Sequence, residues 1–218
     1  MCSKTISGKL CIPLSKTCVI MLKQGGQLPQ DLGDADYIGA DKGALLLAQK
    51  KIPMVLAIGD FDSVHEEDMA LIRRYSKEVV RLNPVKDDSD SEAAVRAAHR
   101  LGYEKIILLG GLGGRMDHTL VNLRLCAVFA NQLVLADECN RIEAVTEGGY
   151  DFRENDGWKY YSFFTFEEAV VSLEGFYYPL KNQRLGPLDL YTVSNELSAA
   201  EGRLVVKKGT VLVIRSRD

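Results

Sequence analysis

The chain has 218 residues, of which 46% are hydrophobic and 26% charged, and its net charge is -3 at pH 7. This length suits one domain with a smaller second one, and the composition is that of an ordinary globular protein. A weakly acidic chain does not attract polyanions, which argues against nucleic acid as a partner. No apolar run is long enough to span a membrane, so no membrane partner is expected either.

Residues 17–138 alternate between short apolar runs and helical patterns. The runs typical of strands lie at 17–22, 37–40, 54–59, 79–82, 105–110 and 133–137. The helical patterns lie at 43–50, 66–75, 91–101 and 117–129. Several of the runs are continuously apolar, as strands buried on both faces are. This alternation predicts an α/β domain built on a parallel sheet.

Residues 139–218 have a different pattern, with few convincing helices. Short strand-like runs lie at 141–145, 159–166, 169–174, 190–194, 203–206 and 210–215. Turn signals separate them, among them E-G-G-Y, N-D-G-W and K-K-G-T. We therefore predict a small all-β domain, of sandwich type, that begins at residue 139.

The chain contains five cysteines, and no two of them have C-x-x-C spacing. Reduced, buried thiols explain this odd number better than a disulfide framework or a zinc site, and they indicate a reducing compartment. The first 16 residues contain no continuous hydrophobic segment of the signal-peptide type and are interpreted as a tail. A cytoplasmic location is the resulting expectation.

Aspartates follow four of the predicted parallel strands. They are Asp41, Asp60, Asp62, Asp87, Asp88, Asp90 and Asp117. Ligands of open parallel sheets bind beyond the carboxyl ends of the strands, so these carboxylates should share one crevice. Such crowding is unfavourable unless cations lie among the carboxylates. Oxygen ligands with little histidine favour Mg²⁺, and Lys42, Lys86 and Arg115 in the same loops suit a phosphate chain.

The segment G-G-L-G-G-R-M-D-H, residues 110–118, leads into a predicted helix. Exposed N–H groups of small residues at a helix N-terminus favour phosphate. The segment is not a P-loop, because no G-K-[ST] follows, and it does not fit the dinucleotide fingerprint, whose third glycine would fall on Met116.

Structural interpretations exist for the same residues. Ser89 and Glu92 have capping-box spacing, Asp117 could be a helix N-cap and Asp41 a turn residue. The G-D-F-D-S segment could be a solvated turn, although the run before it is apolar enough to be buried.

Five segments together carry a family resemblance. A-D-K-G (40–43), G-D-F-D-S (59–63), K-D-D-S-D-S-E (86–92), G-G-L-G-G-R-M-D-H (110–118) and V-S-N-E-L (193–197) occur in the order seen in thiamine pyrophosphokinases. The chain resembles the bacterial branch of that family over nearly all of its length beyond residue 17. The resemblance implies transfer of a pyrophosphoryl group from ATP to thiamine, with Mg²⁺ as cofactor. It also implies a Rossmann-like first domain, a β-sandwich second domain and a homodimer with the active site near the subunit interface.

The resemblance also implies roles for individual residues. The catalytic aspartates would be Asp60, Asp62, Asp90 and Asp117, the first three of them binding the metal. The contacts to ATP would be Asp41, Lys86, Asp87, Gly111, Gly113, Gly114, Arg115 and His118. Ser194 and Asn195 match the segment near thiamine. The chain departs from the family at Ser89, where threonine is usual, at Lys42, and in lacking an aromatic residue near its C-terminus.

Three other functions are compatible with the acidic crevice alone. The first is a pyrophosphokinase for another alcohol, such as a hydroxymethylpterin. The second is a Mg²⁺-dependent phosphohydrolase, in which water is the acceptor. The third is a nucleotide-binding sensor without turnover, which would need fewer carboxylates than this chain places at its strand ends.

Overall fold

The computed structural model describes residues 15–25, 34–83 and 89–218. The helices are α1 (Lys42–Gln49), α2 (Glu66–Tyr75), α3 (Asp90–Arg100) and α4 (Met116–Val128), with a 3-10 turn at Glu154–Asp156. The strands are β1 (Thr17–Met21), β2 (Ala35–Ala40), β3 (Leu56–Gly59), β4 (Val79–Arg81), β5 (Lys105–Leu109), β6 (Leu133–Ala136), β7 (Asn140–Val145), β8 (Gly148–Arg153), β9 (Tyr160–Phe164), β10 (Ala169–Glu174), β11 (Leu180–Leu185), β12 (Glu201–Lys208) and β13 (Val211–Ser216). No helix among the described residues is long and apolar enough to cross a membrane.

The first six strands form the parallel part of a nine-stranded sheet, in the order β4-β3-β2-β1-β5-β6. Alternate side chains of β1 enter opposite cores, because successive residues of a strand point to opposite faces. Cys18 and Ile20 pack with α3 and α4, whereas Val19 and Met21 pack with α1 and α2. Helices therefore cover both faces, which explains why these strands are continuously apolar.

The same sheet continues with the antiparallel strands β7, β13 and β9. A second, four-stranded antiparallel sheet, in the order β11-β10-β12-β8, packs against this end of the first. Four aromatic rings lie between the two sheets in edge-to-face contact, namely Phe152, Tyr161, Phe163 and Phe176. The predicted class, a parallel α/β sheet followed by a β-sandwich, is confirmed. The boundary between residues 138 and 139 stays a prediction; it falls between β6 and β7, which are neighbours in one sheet.

In the second half, two local predictions were wrong and one strand was missed. Residues 147–150 were predicted as a turn, but β8 begins at Gly148. β11 was missed because its residues 181–184 are polar and exposed, as an edge strand allows. The predicted strand at 190–194 is an irregular segment, although it lies along β9, where Phe163 N–H donates to the Thr192 carbonyl. Only Thr192 of this segment is buried, so it lacks the alternation that a half-buried strand needs.

Candidate active site

Three of the predicted aspartates come together at the carboxyl edge of the parallel sheet. Asp41 follows β2, Asp60 follows the neighbouring strand β3, and Asp90 begins α3. The carboxyl group of Asp90 is hydrogen-bonded to that of Asp41, and the charge of Asp60 acts on Asp41 as well. The sequence-based expectation that separate strand–helix connections bring their carboxylates into one crevice therefore holds for these three.

Asp41 supports the neighbouring turn instead of capping its own helix. It occupies the N-cap position of α1 with a φ of 47°, but its side chain makes no capping hydrogen bond. Its Oδ1 accepts a hydrogen bond of 3.2 Å from the N–H of Phe61. Asp41 is therefore more than an ordinary turn residue, because its side chain links the loop after β2 to the loop after β3.

Burial raises the pKa of Asp41 to about 7, with the Asp90 hydrogen bond and charge as the next causes. Since the folded-state pKa lies above the unfolded one, of about 3.9, the stabilisation by protonated Asp41 is complete below that value and is lost as the pH rises to about 7. We expect the free energy of unfolding of the unliganded protein to fall between pH 5 and pH 7.5 by more than it does in Asp41→Asn. Denaturant titrations of both proteins at the two pH values measure this, and equal falls would contradict it.

Gly59 leaves room for the Asp41 side chain. A Cβ at position 59 would lie 1.8 Å from Asp41 Oδ1, so any other residue must displace that carboxylate. We expect Gly59→Ala to cost about 1–3 kcal/mol of stability, as overpacking does, and to lower turnover by disturbing the crevice. Urea denaturation and initial rates of the variant test this. Gly102→Ala is the control for backbone strain alone: its φ of 87° also disfavours a side chain, but nothing lies within 4 Å of the added Cβ, so it should lower stability and leave turnover unchanged.

The G-D-F-D turn is anchored by the residue between its two aspartates. Phe61 is 3% exposed and packs in the core formed with α1 and α2. Its φ of 56° is unusual for a bulky residue and persists because the buried ring fixes it. The N–H of Asp62 donates to Asp60 Oδ1 at 3.0 Å. Phe61 was not among the predicted site residues, although an apolar residue between two aspartates was a usable signal.

The metal assignment stays a prediction. Within residues 15–25, 34–83 and 89–218, no three carboxylate, histidine or cysteine side chains converge closely enough to hold a metal ion by themselves. Lys86 and Asp87, predicted to bind ATP, and Asp88 lie outside these ranges. Mg²⁺ is usually held by one or two carboxylates together with water and substrate phosphates, so a complete protein cage is not required.

The Gly-rich loop, residues 110–115, joins β5 to α4. Gly113 and Gly114 have φ values of 76° and 67°, which favour glycine. Arg115 Nε and Nη2 donate to the Asp117 carboxylate at 3.2 and 2.5 Å, and this pairing lowers the Asp117 pKa to about 2. Asp117 is therefore ionised and partnered, and its Oδ1 also accepts from the His118 N–H at 2.9 Å. Its side chain does not serve as the N-cap, a position that Arg115 occupies.

The predicted thiamine residues lie in the β-sandwich region. Asn195 is 4% exposed; its side chain accepts from the Tyr178 N–H at 3.1 Å and donates to the Tyr178 carbonyl at 2.9 Å. It therefore shapes the adjacent loop and is too buried to offer a contact surface. Ser194 lines a cavity of about 440 Å³ together with Tyr177, Tyr178 and Glu196, three residues that sequence reasoning did not single out.

The two predicted half-sites lie far apart within one chain. Asp60 follows β3, while Asn195 is bridged to Tyr161 in β9. Seven inter-strand steps separate β3 from β9, which at roughly 4.8 Å each is about 34 Å along the sheet. Measured along the sheet, this separation is longer than a single small substrate.

Comparison with known proteins decides the family. The thiamin pyrophosphokinase catalytic domain matches residues 33–135, and the thiamin pyrophosphokinase vitamin B1 binding domain matches residues 150–211. The thiamine pyrophosphokinase of Bacillus subtilis is 34% identical over 187 residues, 84% of this chain and 87% of that protein. The chain belongs to the thiamine pyrophosphokinase family. The predicted resemblance is confirmed.

Solved structures of the thiamine pyrophosphokinase family share the fold. The enzyme from Bacillus subtilis superposes with a TM-score of 0.81 at 30% identity, covering 93% of this chain and 99% of that one. A family protein from Enterococcus faecalis gives a TM-score of 0.81 at 26% identity, with 94% and 100% covered. The acidic crevice lies within the catalytic-domain match, and the cavity at Ser194 lies within the vitamin B1 binding match.

Proposed function

We propose that the protein transfers the pyrophosphoryl group of ATP to the hydroxyl of thiamine, giving thiamine diphosphate and AMP. The observation that carries the proposal is the meeting of Asp41, Asp60 and Asp90 at the carboxyl edge of the sheet, inside the catalytic-domain match. The vitamin B1 binding match over residues 150–211 supports thiamine as the acceptor over a pterin. A sensor without turnover would not need hydrogen-bonded carboxyl groups in its crevice.

The crevice fits a divalent cation such as Mg²⁺. The raised pKa of Asp41 reflects burial beside two other carboxyl groups, a crowding that a cation would relieve. Carboxylates among Asp60, Asp62 and Asp90 would hold the ion together with water and the phosphate oxygens of ATP, with Asp41 keeping the turn of Asp60 and Asp62 in place. When bound, the metal would supply charge neutralisation for the phosphate oxygens.

The chain's own groups would bind and align the ATP. The N–H groups around Gly111, Gly113 and Gly114 are suited to phosphate oxygens at the start of α4. Arg115 is exposed and its guanidinium is paired with Asp117, and its remaining N–H groups offer further donors. His118, Lys86 and Asp87 complete the proposed ATP contacts. Transfer reactions of this type depend mainly on alignment and charge neutralisation, so no covalent intermediate on the protein is required.

The cavity at Ser194 is the proposed acceptor site. Tyr178 presents an aromatic ring that is 70% exposed, and Glu196 a carboxylate. Aromatic faces and carboxylates both attract a cationic ring such as the thiazolium of thiamine. Asn195 would act by holding the Tyr178 loop in place.

We further propose a homodimer in which each active site combines the crevice of one subunit with the cavity of its partner. The separation of about 34 Å within one chain supports this, because reacting atoms must approach to about 3 Å. Large apolar side chains are exposed in the segment that leads to Ser194, namely Leu188, Leu190, Tyr191 and Val193. Met116 and Leu120 are exposed beside the Gly-rich loop. Exposed apolar side chains around both half-sites suit a subunit interface.

The expected location is the cytoplasm. Cys18 and Cys126 are buried free thiols, and Cys139 is an exposed one. Burial raises the pKa of Cys126 to about 12, so its thiol is unreactive at neutral pH. Free thiols of this kind suit a reducing compartment.

Incubation with ATP, Mg²⁺ and thiamine tests the function. We expect AMP and thiamine diphosphate in equal amounts, both detected by chromatography. AMP formed without any added alcohol would instead indicate the phosphohydrolase. Product formed with a hydroxymethylpterin and not with thiamine would indicate the other pyrophosphokinase. ATP binding without any product would indicate the sensor.

A further inference from the structure

Helix α4 presents polar side chains toward the Gly-rich loop where packing alone would call for apolar ones. Thr119 and Asn122, three residues apart, share one side of the helix and are 9% and 2% exposed. The same side continues with the buried apolar residues Leu125 and Cys126. The inward side of α4 is therefore polar beside the loop and apolar further on. Packing against the core would be satisfied by apolar residues along the whole of this side.

Both polar side chains bind carbonyl groups of the loop. Asn122 Nδ2 donates to the Gly111 carbonyl at 2.8 Å. Thr119 Oγ1 donates to the Gly113 carbonyl at 3.2 Å and also lies 3.4 Å from the Arg115 carbonyl. Two successive turns of α4 thus hold alternate peptide groups of the loop.

These bonds determine which way the loop N–H groups point. In a trans peptide the N–H of the following residue points opposite to the carbonyl. Carbonyls of Gly111 and Gly113 that turn toward α4 therefore direct the N–H groups of Leu112 and Gly114 away from it. Among the described residues, no backbone carbonyl accepts from either of these N–H groups. Loop N–H groups that face outward together form an anion-binding concavity.

Asn122 lowers the stability of the fold at its position. Its Oδ1 is buried and has no hydrogen-bond partner among the described residues. A buried acceptor without a partner destabilises the fold, and a leucine of similar size would avoid this. The side chain is therefore better explained by its bond to the loop than by a contribution to stability.

We propose that Thr119 and Asn122 are positioning residues that hold the Gly-rich loop in its phosphate-binding conformation. They act through the loop and do not contact the substrate themselves. This inference rests on the proposed function, because it assumes that the loop binds the phosphates of ATP. It predicts an effect on ATP that does not extend to thiamine.

The test compares Thr119→Val, which keeps the shape and removes the hydroxyl, with Thr119→Ser, which keeps the hydroxyl. We expect Thr119→Val and Asn122→Leu each to raise the KM for ATP about tenfold, as loss of one anchoring hydrogen bond would. The KM for thiamine should stay unchanged, and Thr119→Ser should remain near wild type. Two independent variants keep the test informative if one of them does not fold.

Thr165→Val is the matched control. Thr165 is also a buried threonine, and its Oγ1 donates to the Thr210 carbonyl at 3.0 Å, but it lies in the sandwich region. We expect Thr165→Val to lower the Tm without changing the KM for ATP. Folded Thr119→Val and Asn122→Leu with wild-type KM for ATP would overturn the proposal, as would equal rises in both KM values. If the wild type makes no thiamine diphosphate, the proposed function fails, and the Kd for ATP of the same variants still tests the loop.

Discussion

Asp62→Asn is expected to abolish formation of thiamine diphosphate while the protein stays folded. Asp62 is exposed in the turn that follows β3, and the hydrogen bond that holds this turn uses its backbone N–H, not its carboxylate. The substitution therefore removes one negative charge and leaves the turn intact. Loss of a group that stabilises the transferring phosphates lowers kcat by about 10³-fold or more. The rate of AMP release from ATP and thiamine measures the effect.

Glu67→Gln is the control for this loss. Glu67 is an exposed carboxylate in the first turn of α2, five residues after Asp62 along the chain. The substitution Glu67→Gln also removes one negative charge close to Asp62 in the chain, but from outside the crevice. We expect nearly wild-type turnover for Glu67→Gln and an unchanged Tm for both variants. Near-normal AMP release by Asp62→Asn would count against the assignment of the crevice.

The parallel half of the fold was predictable because its residues carry two independent signals. The strands β1 and β5 are continuously apolar after their first residue, and each helix has a buried side that recurs with its turn. The predicted helix ends agree with the observed ones to within one residue. The β-sandwich was less predictable, because edge strands such as β11 bury a single side chain and their pairing depends on the tertiary structure.

The acidic crevice was predictable for a topological reason. The carboxyl ends of neighbouring parallel strands meet at one edge, so residues after β2 and β3 had to come close. The contacts that organise the site were not predictable. The bond from Phe61 to Asp41 depends on an unusual backbone conformation at both residues, and the bonds from α4 to the loop depend on how the helix is rotated. Neither the backbone conformation of these residues nor the rotation of the helix can be read from residue spacing.

The cavity was only partly predictable. Ser194 was predicted from a family motif to lie near thiamine, whereas Tyr178 comes from a different segment that Asn195 brings alongside. An exposed tyrosine in a loop carries no periodic signal, so its role appears only once the two segments are seen together.

Mixed dimers should recover activity from two inactive proteins. Asp62→Asn disables the crevice, and the double variant Tyr178→Ala, Glu196→Gln removes the ring and the charge from the cavity. When the two chains assemble at random, half of the dimers are mixed, and one of the two active sites in each mixed dimer contains no substitution. The expected activity is about one quarter of wild type, if each site combines two subunits.

Co-expression of the two variants with different affinity tags, followed by purification through both tags, isolates the mixed dimers. Their turnover should be about half that of the wild type, because one site in two is intact. The control is each variant purified alone through the same steps, which should show almost no turnover. If each active site instead lay within one subunit, every site would carry a substitution and the mixed dimers would be as inactive as their parents. Recovered activity therefore distinguishes a shared site from a site in one chain, and it follows from the separation of β3 and β9 in the sheet.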